Sequence, residues 1–496
     1  MTERKDLSRK NLKVKTQGKS REGTESNKPR MGKAQAKKVK KLTPTHYPVP
    51  LVNRIMEIGI ILVVVGTPLL FSIWSKNNFL LPKETYAESI LVVLFGIYLI
   101  KVVEDGRFNL VKSDLWYPLL AFMGACLISL FHSISLYLSL LDLADFLSYF
   151  FILFLTLNFI RTFTQRNRVF WALVAVCLIS SIYAVCQFYN LEFKFWAREG
   201  GRGNIFSTFG NPNRYSGFVG GVLPAMIGYF FVVRGIRKYI LAFIIPLVYT
   251  GMMMTFTRGA LLGLFVSLLV MLFISVRFFG LNFFKNYLKS IIYLLCVFVV
   301  ITAIFSTENP INYTRITLTE RAASAARGQE TSVRQRFMIW QISLLMAKDH
   351  PIIGQGIGTY KYHYLWYQGK YFENPKNKDK VNLAVWAREA HNEYVQILAE
   401  TGIVGLFCWL WLLFTFFRGR YRTFKEERGK DSLFFPRLGL TMGALVILVH
   451  ATVSFPLHII PNGILLFLLM GLAALSPKPG STTLEKNSGR QKILES

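Results

Sequence analysis

Residues 261–276 read LLGLFVSLLVMLFISV, a stretch without a single charged side chain. Residues 291–304, IIYLLCVFVVITAI, also contain no charged side chain, and residues 55–73 carry almost no charge. Such runs approach the roughly 20 apolar residues that an α-helix needs to cross a bilayer. These stretches therefore predict an integral membrane protein.

The composition of the chain agrees with that prediction. Of 496 residues, 52% are hydrophobic and 17% are charged, whereas soluble domains carry about 25% charged residues. Lysine and arginine number 58 against 28 acidic residues, a formal net charge of +30. A strong basic excess also occurs in nucleic-acid-binding proteins, but the length of the apolar runs favours a membrane protein, and we expect no nucleic-acid partner.

Twelve apolar segments follow the hydrophilic N-terminus and predict an all-α protein with about 12 transmembrane helices. The segments are 55–74, 87–103, 115–131, 138–160, 169–189, 215–233, 238–256, 259–276, 288–305, 401–417, 436–454 and 461–475. The five cysteines all lie in apolar stretches and form no CxxC pair, so we expect them to be small core residues.

The loops between these segments alternate in charge, which predicts their orientation. One loop carries Arg161, Arg166 and Arg168, whereas the loops around 132–137 and 455–460 carry no lysine or arginine. Because cytoplasmic loops are typically rich in these residues, both termini are predicted to be cytoplasmic. The predicted divisions are a basic disordered tail (1–50), spans one to nine (51–306), a large periplasmic loop (307–399), spans ten to twelve (400–476) and a second cytoplasmic tail (477–496).

Arginines gather on the predicted outer face, where the orientation rule does not favour them. The outer loop at about 190–214 carries three, Arg258 stands between two apolar spans, and the large loop carries several more. The planar guanidinium binds phosphate through a fork of donors, so this pattern indicates an anionic ligand. An anchor for lipid headgroups is the alternative for Arg258. The arginines in question are Arg198, Arg202, Arg214, Arg258, Arg336 and Arg388.

His391 follows Arg388 and Glu389 just before the tenth predicted span. A neutral imidazole at the outer membrane face can accept the proton of a hydroxyl group. The alternative is a structural histidine, and the residues around His391 leave both interpretations open.

Three other features could indicate a binding site, but their patterns are less specific. Residues 354–358, GQGIG, imitate a phosphate-binding loop, but no strand precedes them, and we interpret them as a turn near the membrane surface. His450 and His458 have neither an HExxH motif nor a matching carboxylate, so we expect no metal and no cofactor. Asp142 and Asp145, near the outer end of the fourth span, fit either ion coupling or a place at the membrane interface.

The order of residues after His391 resembles a known signature. His391-Asn392, nine residues, Gly402, two residues and Gly405 resemble the His-[Asn/Ser/Gln]-x9-Gly-x2-[Gly/Thr/Tyr] signature of bacterial O-antigen ligases and their relatives. Arg258-x3-Leu262 is similar to the Arg-x3-Leu motif of that family. The similarity runs from about 190 to 475 and is strongest over 240–410. Further similar segments, in the same order, are 208–213, 336–340, 350–354 and 455–458.

The resemblance implies a multi-pass glycosyltransferase of the GT-C type in the bacterial inner membrane. Its donor would be a glycan on undecaprenyl pyrophosphate, and its active site would be periplasmic. For a ligase, the acceptor would be a sugar hydroxyl of the lipid A core. O-antigen polymerases and protein O-oligosaccharyltransferases resemble the same core, so the acceptor stays open. A transporter for lipid-linked glycans is the alternative from another class, but the arginines cluster on one face and no internal repeat is evident.

The resemblance also implies roles for particular residues. Arg258 and Arg336, helped by Arg214 and Arg388, would hold the pyrophosphate. His391 would orient or deprotonate the acceptor hydroxyl in a metal-independent, inverting transfer. Because arginines can stabilise a leaving pyrophosphate through preorganised positive charge, this chemistry fits the residues present.

Overall fold

The computed structural model describes residues 49–75, 77–108, 110–191, 205–312, 317, 319–320, 323–324, 327 and 330–475. The chain divides into two units, Met1–Val49 and Pro50–Ser496, and the site lies in the second. Arg198, Arg202 and almost all of both predicted tails lie outside the described residues.

The regular structure of the described residues is helical throughout. The α-helices are α1 (Val49–Leu69), α2 (Leu81–Asp105), α3 (Trp116–Ser129), α4 (Leu136–Phe159), α5 (Phe163–Phe188), α6 (Pro212–Val232), α7 (Ile236–Met254), α8 (Arg258–Phe279), α9 (Asn282–Ser306), α10 (Thr331–Asp349), α11 (Tyr360–Glu373), α12 (Glu393–Glu426), α13 (Asp431–His450) and α14 (Ile460–Ala474). Short 3-10 helices occur at Leu130–His132, Ser207–Phe209, Pro375–Leu383 and Pro456–His458.

Ten helices of the described chain are long and apolar enough to cross a membrane: α1, α2, α4 to α9, α12 and α13. Two shorter apolar helices, α3 with its 3-10 extension and α14, complete the set. Each of the twelve predicted spans falls on one of these helices. The prediction of an all-α integral membrane protein is confirmed, and α10 and α11 lie between α9 and α12 in the sequence.

Helices α6 and α13 form the most extensive helix pair, and glycines allow their close approach. A Cβ atom on Gly443 would lie 2.1 Å from the carbonyl oxygen of Gly221, and one on Gly439 would lie 2.4 Å from that of Pro224. Small residues at helix interfaces are typical of membrane proteins, where close backbone packing contributes much of the association. Helix α6 is buried along almost its whole length and forms the centre of the helical unit.

Helix α12 has 34 residues and is kinked at Gly402, where φ is 67° and ψ is −169°. A straight helix of that length would extend roughly 50 Å, beyond the hydrocarbon thickness of about 30 Å. At the kink, the Ile403 amide donates to the carbonyl oxygen of Pro351 at 2.9 Å. A Cβ atom on Gly402 would lie 2.2 Å from the carbonyl oxygen of Ile352. The kink therefore seats the segment after α10 directly against α12.

The glycines of 354–358 lie in the turn that the sequence predicts. Gly354, Gly356 and Gly358 all have positive φ, a conformation that glycine adopts without strain. The amides of Gly358 and Tyr360 donate to Glu400 Oε1, each at 3.1 Å. Because these amides bind a side chain of α12, they are not arranged to cradle a phosphate. We call the end of the helices at this turn, where α8 and α12 begin, the site end.

Candidate functional site

His391 lies in a strained position immediately before α12. Its φ is 52°, in the left-handed region that few non-glycine residues adopt. Asn392 then caps α12, and its side-chain oxygen accepts hydrogen bonds from the amides of Tyr394 at 3.1 Å and Val395 at 3.2 Å. The cap satisfies amides that would otherwise lack partners at the helix start. The His-Asn pair of the signature therefore sets both the turn and the start of the helix.

Three neighbours hold the turn that carries His391. Trp340 Nε1 donates to the carbonyl oxygen of Ala390 at 3.0 Å, and the amide of Ala390 donates to Gln396 Oε1 at 2.8 Å. The ring of Phe455 meets the imidazole of His391 edge to face, with centroids 4.9 Å apart. These contacts from α10, α12 and the segment before α14 fix the imidazole at the site end.

The imidazole of His391 is neutral near pH 7. Burial and, to a lesser degree, the charge of Arg336 lower the pKa of His391 to about 4. A neutral imidazole can accept a proton, whereas an imidazolium cannot. His391 thus has the protonation state required of a general base.

Arg258 and Arg336 lie close together with one carboxylate between them. Arg258 is the first residue of α8, and its Nη1 donates to Glu330 Oε2. Ser332 Oγ donates to the other oxygen, Glu330 Oε1, at 3.0 Å. Burial, together with the neighbouring charge of Arg258, lowers the pKa of Arg336. The structure therefore places Arg336 near both His391 and Arg258, and it adds Glu330, which the sequence did not suggest.

The segment 208–213 borders this group. The side chain of Asn211 caps α6 and accepts the amide of Asn213 at 2.8 Å. Thr257 Oγ1, immediately before Arg258, donates to Asn213 Oδ1 at 3.3 Å. The asparagines thus form the turn and helix start that the sequence allowed, and they join the start of α6 to the start of α8.

Arg214 and Arg388 surround a different carboxylate, Glu389. The guanidinium of Arg214 lies within electrostatic reach of Glu389 and Glu84, and its buried Nε has no hydrogen-bond partner in the described part of the chain. Arg388 is exposed and lies 5.4 Å above the ring of Trp386. Burial raises the pKa of the Glu389 carboxyl, although both arginines oppose that shift. The four predicted arginines therefore form two pairs, each with its own carboxylate.

His450 is a second histidine beside the arginines. It is 2% exposed, and its ring lies between two glycines, whose added Cβ atoms would approach it to 2.8 Å at Gly217 and 2.9 Å at Gly259. Arg336 is close enough for its charge to act on this imidazole. No spacing in the sequence relates His450 to Arg336, because they come from α13 and α10.

His458 is surrounded by carboxylates, so the prediction that no carboxylate matches it is wrong. Its Nδ1 lies 2.9 Å from Glu393 Oε1, and its Nε2 lies 3.8 Å from both Asp142 Oδ2 and Glu400 Oε2. Burial alone would lower the pKa of His458, but the Glu393 and Glu400 carboxylates hold it well above its usual value. The carboxylates come from α4 and α12, far from His458 in the sequence, so no local motif could reveal them.

Fold and site together define a multi-span helical membrane protein with an arginine- and histidine-containing polar site at one end of its helices. Residues 240–410 match the family described as O-antigen ligase, and this range includes Arg258, Arg336, Arg388 and His391. The chain is also similar to the exopolysaccharide production protein ExoQ of Rhizobium meliloti (strain 1021), with 26% identity over 164 residues. That similarity covers 32% of this chain and 35% of ExoQ, about a third of the relative's length.

These comparisons support the predicted resemblance to O-antigen ligases over residues 240–410. Both the matched family and the relative are named for the assembly of polysaccharides.

Proposed function

We propose that the protein transfers a glycan from undecaprenyl pyrophosphate to an acceptor hydroxyl, with the lipid A core as the acceptor. The site end would face the periplasm of a bacterial inner membrane. The observation that carries this proposal is the neutral imidazole of His391 near the guanidinium group of Arg336, which in turn lies near that of Arg258. A base and two fixed cations are what an acceptor hydroxyl and a departing pyrophosphate require.

The donor pyrophosphate would take the place of Glu330 as the partner of Arg258. A phosphate oxygen offers the same acceptor geometry to guanidinium as a carboxylate oxygen does, and it carries more negative charge. Arg336 would contact the same pyrophosphate. Arg214 and Arg388 would bind the remaining oxygens of the pyrophosphate or the first sugars of the glycan. The chain's own arginines thereby supply the positive charge in the proposed transfer step, without a metal.

The proposed reaction is one displacement. His391 takes the proton of the acceptor hydroxyl, and the oxygen attacks the anomeric carbon of the donor glycan. The bond between that carbon and the pyrophosphate oxygen breaks, and undecaprenyl pyrophosphate leaves with the electron pair. Because attack and departure occur on opposite faces, the anomeric configuration inverts. Arg258 and Arg336 stabilise the growing charge on the leaving oxygen.

The acceptor distinguishes this proposal from its closest alternatives. A polymerase would use a second lipid-linked repeat, and a protein O-oligosaccharyltransferase would use a Ser or Thr hydroxyl. The relative ExoQ is an exopolysaccharide production protein, which favours a sugar acceptor over a protein acceptor. Polymerisation is therefore the second candidate function.

The test uses purified protein in nanodiscs with a verified undecaprenyl-pyrophosphate glycan. Lipid A core, a second lipid-linked repeat and a Ser/Thr-rich periplasmic protein are offered separately, and products are identified by mass spectrometry. We expect transfer to lipid A core. Transfer to the lipid-linked repeat alone would assign a polymerase instead. No transfer to any acceptor by folded protein would contradict the proposed activity and favour transport of the glycan.

A further inference from the structure

Three arginines lie together at the end of the helices opposite the site end. Arg166 is in the first turn of α5, Arg420 lies near the end of α12 and Arg437 is in the second turn of α13. The guanidinium of Arg437 lies within electrostatic reach of both other arginines. We call these three residues the arginine cluster. The spanning parts of α12 and α13 separate it from His391 and the arginines of the proposed active site.

The guanidinium of Arg437 is buried and donates no hydrogen bond within the described residues. Its exposed fraction is 0%, and Nε, Nη1 and Nη2 all lack an acceptor there. Nη2 lies 2.9 Å from Glu427 Oε1, which makes an ion pair without the geometry of a hydrogen bond. The Nε atoms of Arg166 and Arg420 are also buried without an acceptor in this part of the chain. Because buried donors without acceptors are costly, these nitrogens point to a bound acceptor.

The acids beside the arginine cluster do not balance its charge. Glu427 and Glu426 both act on Arg437, but Glu426 is exposed, so solvent screens its charge. Glu427 is 5% exposed, and its Oε2 also lacks a hydrogen bond within the described residues. A turn of this carboxylate towards the arginines would still neutralise only one of the three guanidinium groups. The excess positive charge therefore calls for a further anion.

The arginine cluster reaches the surface at Arg420, at the end of a spanning helix. Arg420 is only partly buried, and its Nη1 donates to the carbonyl oxygen of Ala473 at the end of α14. Large side chains of α12, among them Phe414 and Tyr421, are exposed, as expected where a helix contacts lipid. This end of the helices is predicted to be cytoplasmic. Basic pockets between spanning helices on that side bind phospholipid headgroups.

We propose that Arg166, Arg420 and Arg437 bind one phosphate group, supplied by the headgroup of an anionic phospholipid. A phosphate offers several acceptor oxygens to the forked donors of guanidinium groups, and its charge offsets the excess in the cluster. The phosphate would enter beside Arg420, and the long arginine side chains would turn towards it. It would hold the ends of α5, α12 and α13 together.

This inference goes beyond the proposed glycan transfer and does not depend on it, because the arginine cluster lies at the other end of the helices. Inorganic phosphate presents the same oxygens as a lipid headgroup, so the test compares the two sources. Phosphatidylcholine is the lipid control, because its ammonium group cancels the charge of its phosphate.

The test measures binding by the full-length protein in a maltoside detergent, which contains no phosphate. Phosphatidylglycerol, phosphatidylcholine and inorganic phosphate are titrated separately, and the midpoint of thermal unfolding is followed. Lipid that stays bound is counted by native mass spectrometry. We expect phosphatidylglycerol alone to raise the midpoint saturably, with one lipid retained per chain.

Two variants test the arginine cluster, and a third is the matched control. Arg420→Gln should weaken the apparent affinity for phosphatidylglycerol about tenfold, because one fork of charged donors is lost. Arg437→Met should weaken it similarly and still fold, because Glu427 keeps Arg166 and Arg420 as neighbours. Arg418→Gln removes the same charge from the same helix, but Arg418 is exposed above the ring of Phe414. This control should bind as the wild type does.

Each other outcome bears on the proposal. An equal shift with inorganic phosphate would support the phosphate site and overturn its lipid source. Wild-type affinity in both Arg420→Gln and Arg437→Met, or an equal loss in Arg418→Gln, would overturn the proposal. No saturable shift with any of the three compounds would also overturn it, and would favour a carboxylate of residues 476–496 as the partner of the arginines.

Discussion

Arg258 is already paired in the structure, and that pairing bears on how a donor would bind. Its guanidinium contacts Glu330, while Arg336 lies close to both. A pyrophosphate that enters must compete with the Glu330 carboxylate for the same donors. Before the donor binds, the Glu330 carboxylate would hold the guanidinium groups of Arg258 and Arg336 near each other. Its negative charge would offset part of the repulsion between them.

This competition predicts opposite effects for two substitutions. Arg258→Lys should lower kcat/KM for the donor about 100-fold, because a single ammonium cannot replace a bidentate fork. Glu330→Gln should keep transfer and lower the donor KM, because the competing charge is removed. Steady-state kinetics with varied donor measures both, and Arg277→Gln at the other end of α8 is the control. Equal losses in the Arg258 and Glu330 variants would contradict the competition.

The neutral state of His391 predicts the pH dependence of transfer. With a pKa of about 4, His391 stays unprotonated at neutral pH and loses its capacity as a base only as the pH falls towards that value. The rate should therefore be independent of His391 protonation from about pH 6 to 8 and should fall below about pH 5.

Arg336→Gln provides the comparison for this pH dependence. Removal of the nearby charge raises the pKa of His391 towards its ordinary value, although burial still opposes that shift. When the transfer rate is plotted against pH and normalised to its plateau value, the fall in rate at low pH should occur at a higher pH in this variant than in the wild type. An identical fall in wild type and variant would show that another group controls it.

The sequence revealed the residues of the site that belong to short motifs. His391 and Arg258 stand in recognisable spacings, and the structure places Arg336 near both of them. The sequence did not indicate a place in the site for Glu330, His450 or the carboxylates around His458, because the residues that they contact come from distant parts of the chain. A contact between distant segments leaves no fixed spacing in one sequence.

At the scale of elements, glycines determine how closely helices pack. Gly443→Ala would place a Cβ atom 2.1 Å from the backbone oxygen of Gly221, so α6 and α13 would have to separate. We expect a loss of about 1–3 kcal/mol in the free energy of unfolding. Gly419→Ala in α12 is the matched control, because no atom lies within 4 Å of its added Cβ. Unfolding midpoints in detergent should fall only for Gly443→Ala, and equal midpoints would contradict this account of the helix pair.

Apolar runs predicted the helices well but missed the start of α12. The tenth span was predicted from residue 401, whereas the helix begins at Glu393. Its first turns carry Gln396 and Glu400, polar residues that bind neighbouring segments and that a hydropathy pattern assigns to a loop. Gly402 has non-helical backbone angles and separates this polar helix from the apolar one, and only the structure shows that the two follow each other without a loop.

At the scale of the whole molecule, the number and order of apolar helices followed from the sequence, but their packing did not. Helix α6 has buried residues on all of its faces, so the periodicity of apolar residues in the sequence could not show that this helix is central. The direction in which the site end faces rests on the alternation of basic loops and is still a prediction.

Alkaline phosphatase fusions test that direction, because the enzyme is active only outside the cytoplasm. Fusion at Gly369, in α11 at the site end, should be active, and fusion at Gly429, between α12 and α13, should be inactive. Both glycines face open space, so an insertion there disturbs little packing. The reverse pattern would place the site end in the cytoplasm.

The most direct measurement of the proposed chemistry is glycan transfer by His391→Ala in nanodiscs, with verified donor and acceptor. His363→Ala is the matched control, because His363 lies in α11 and has no part in the proposed transfer. We predict transfer by the wild type and by His363→Ala, and a fall of His391→Ala to background, with equal expression and membrane insertion. Transfer by His391→Ala at the wild-type rate would contradict the role of His391 as the base.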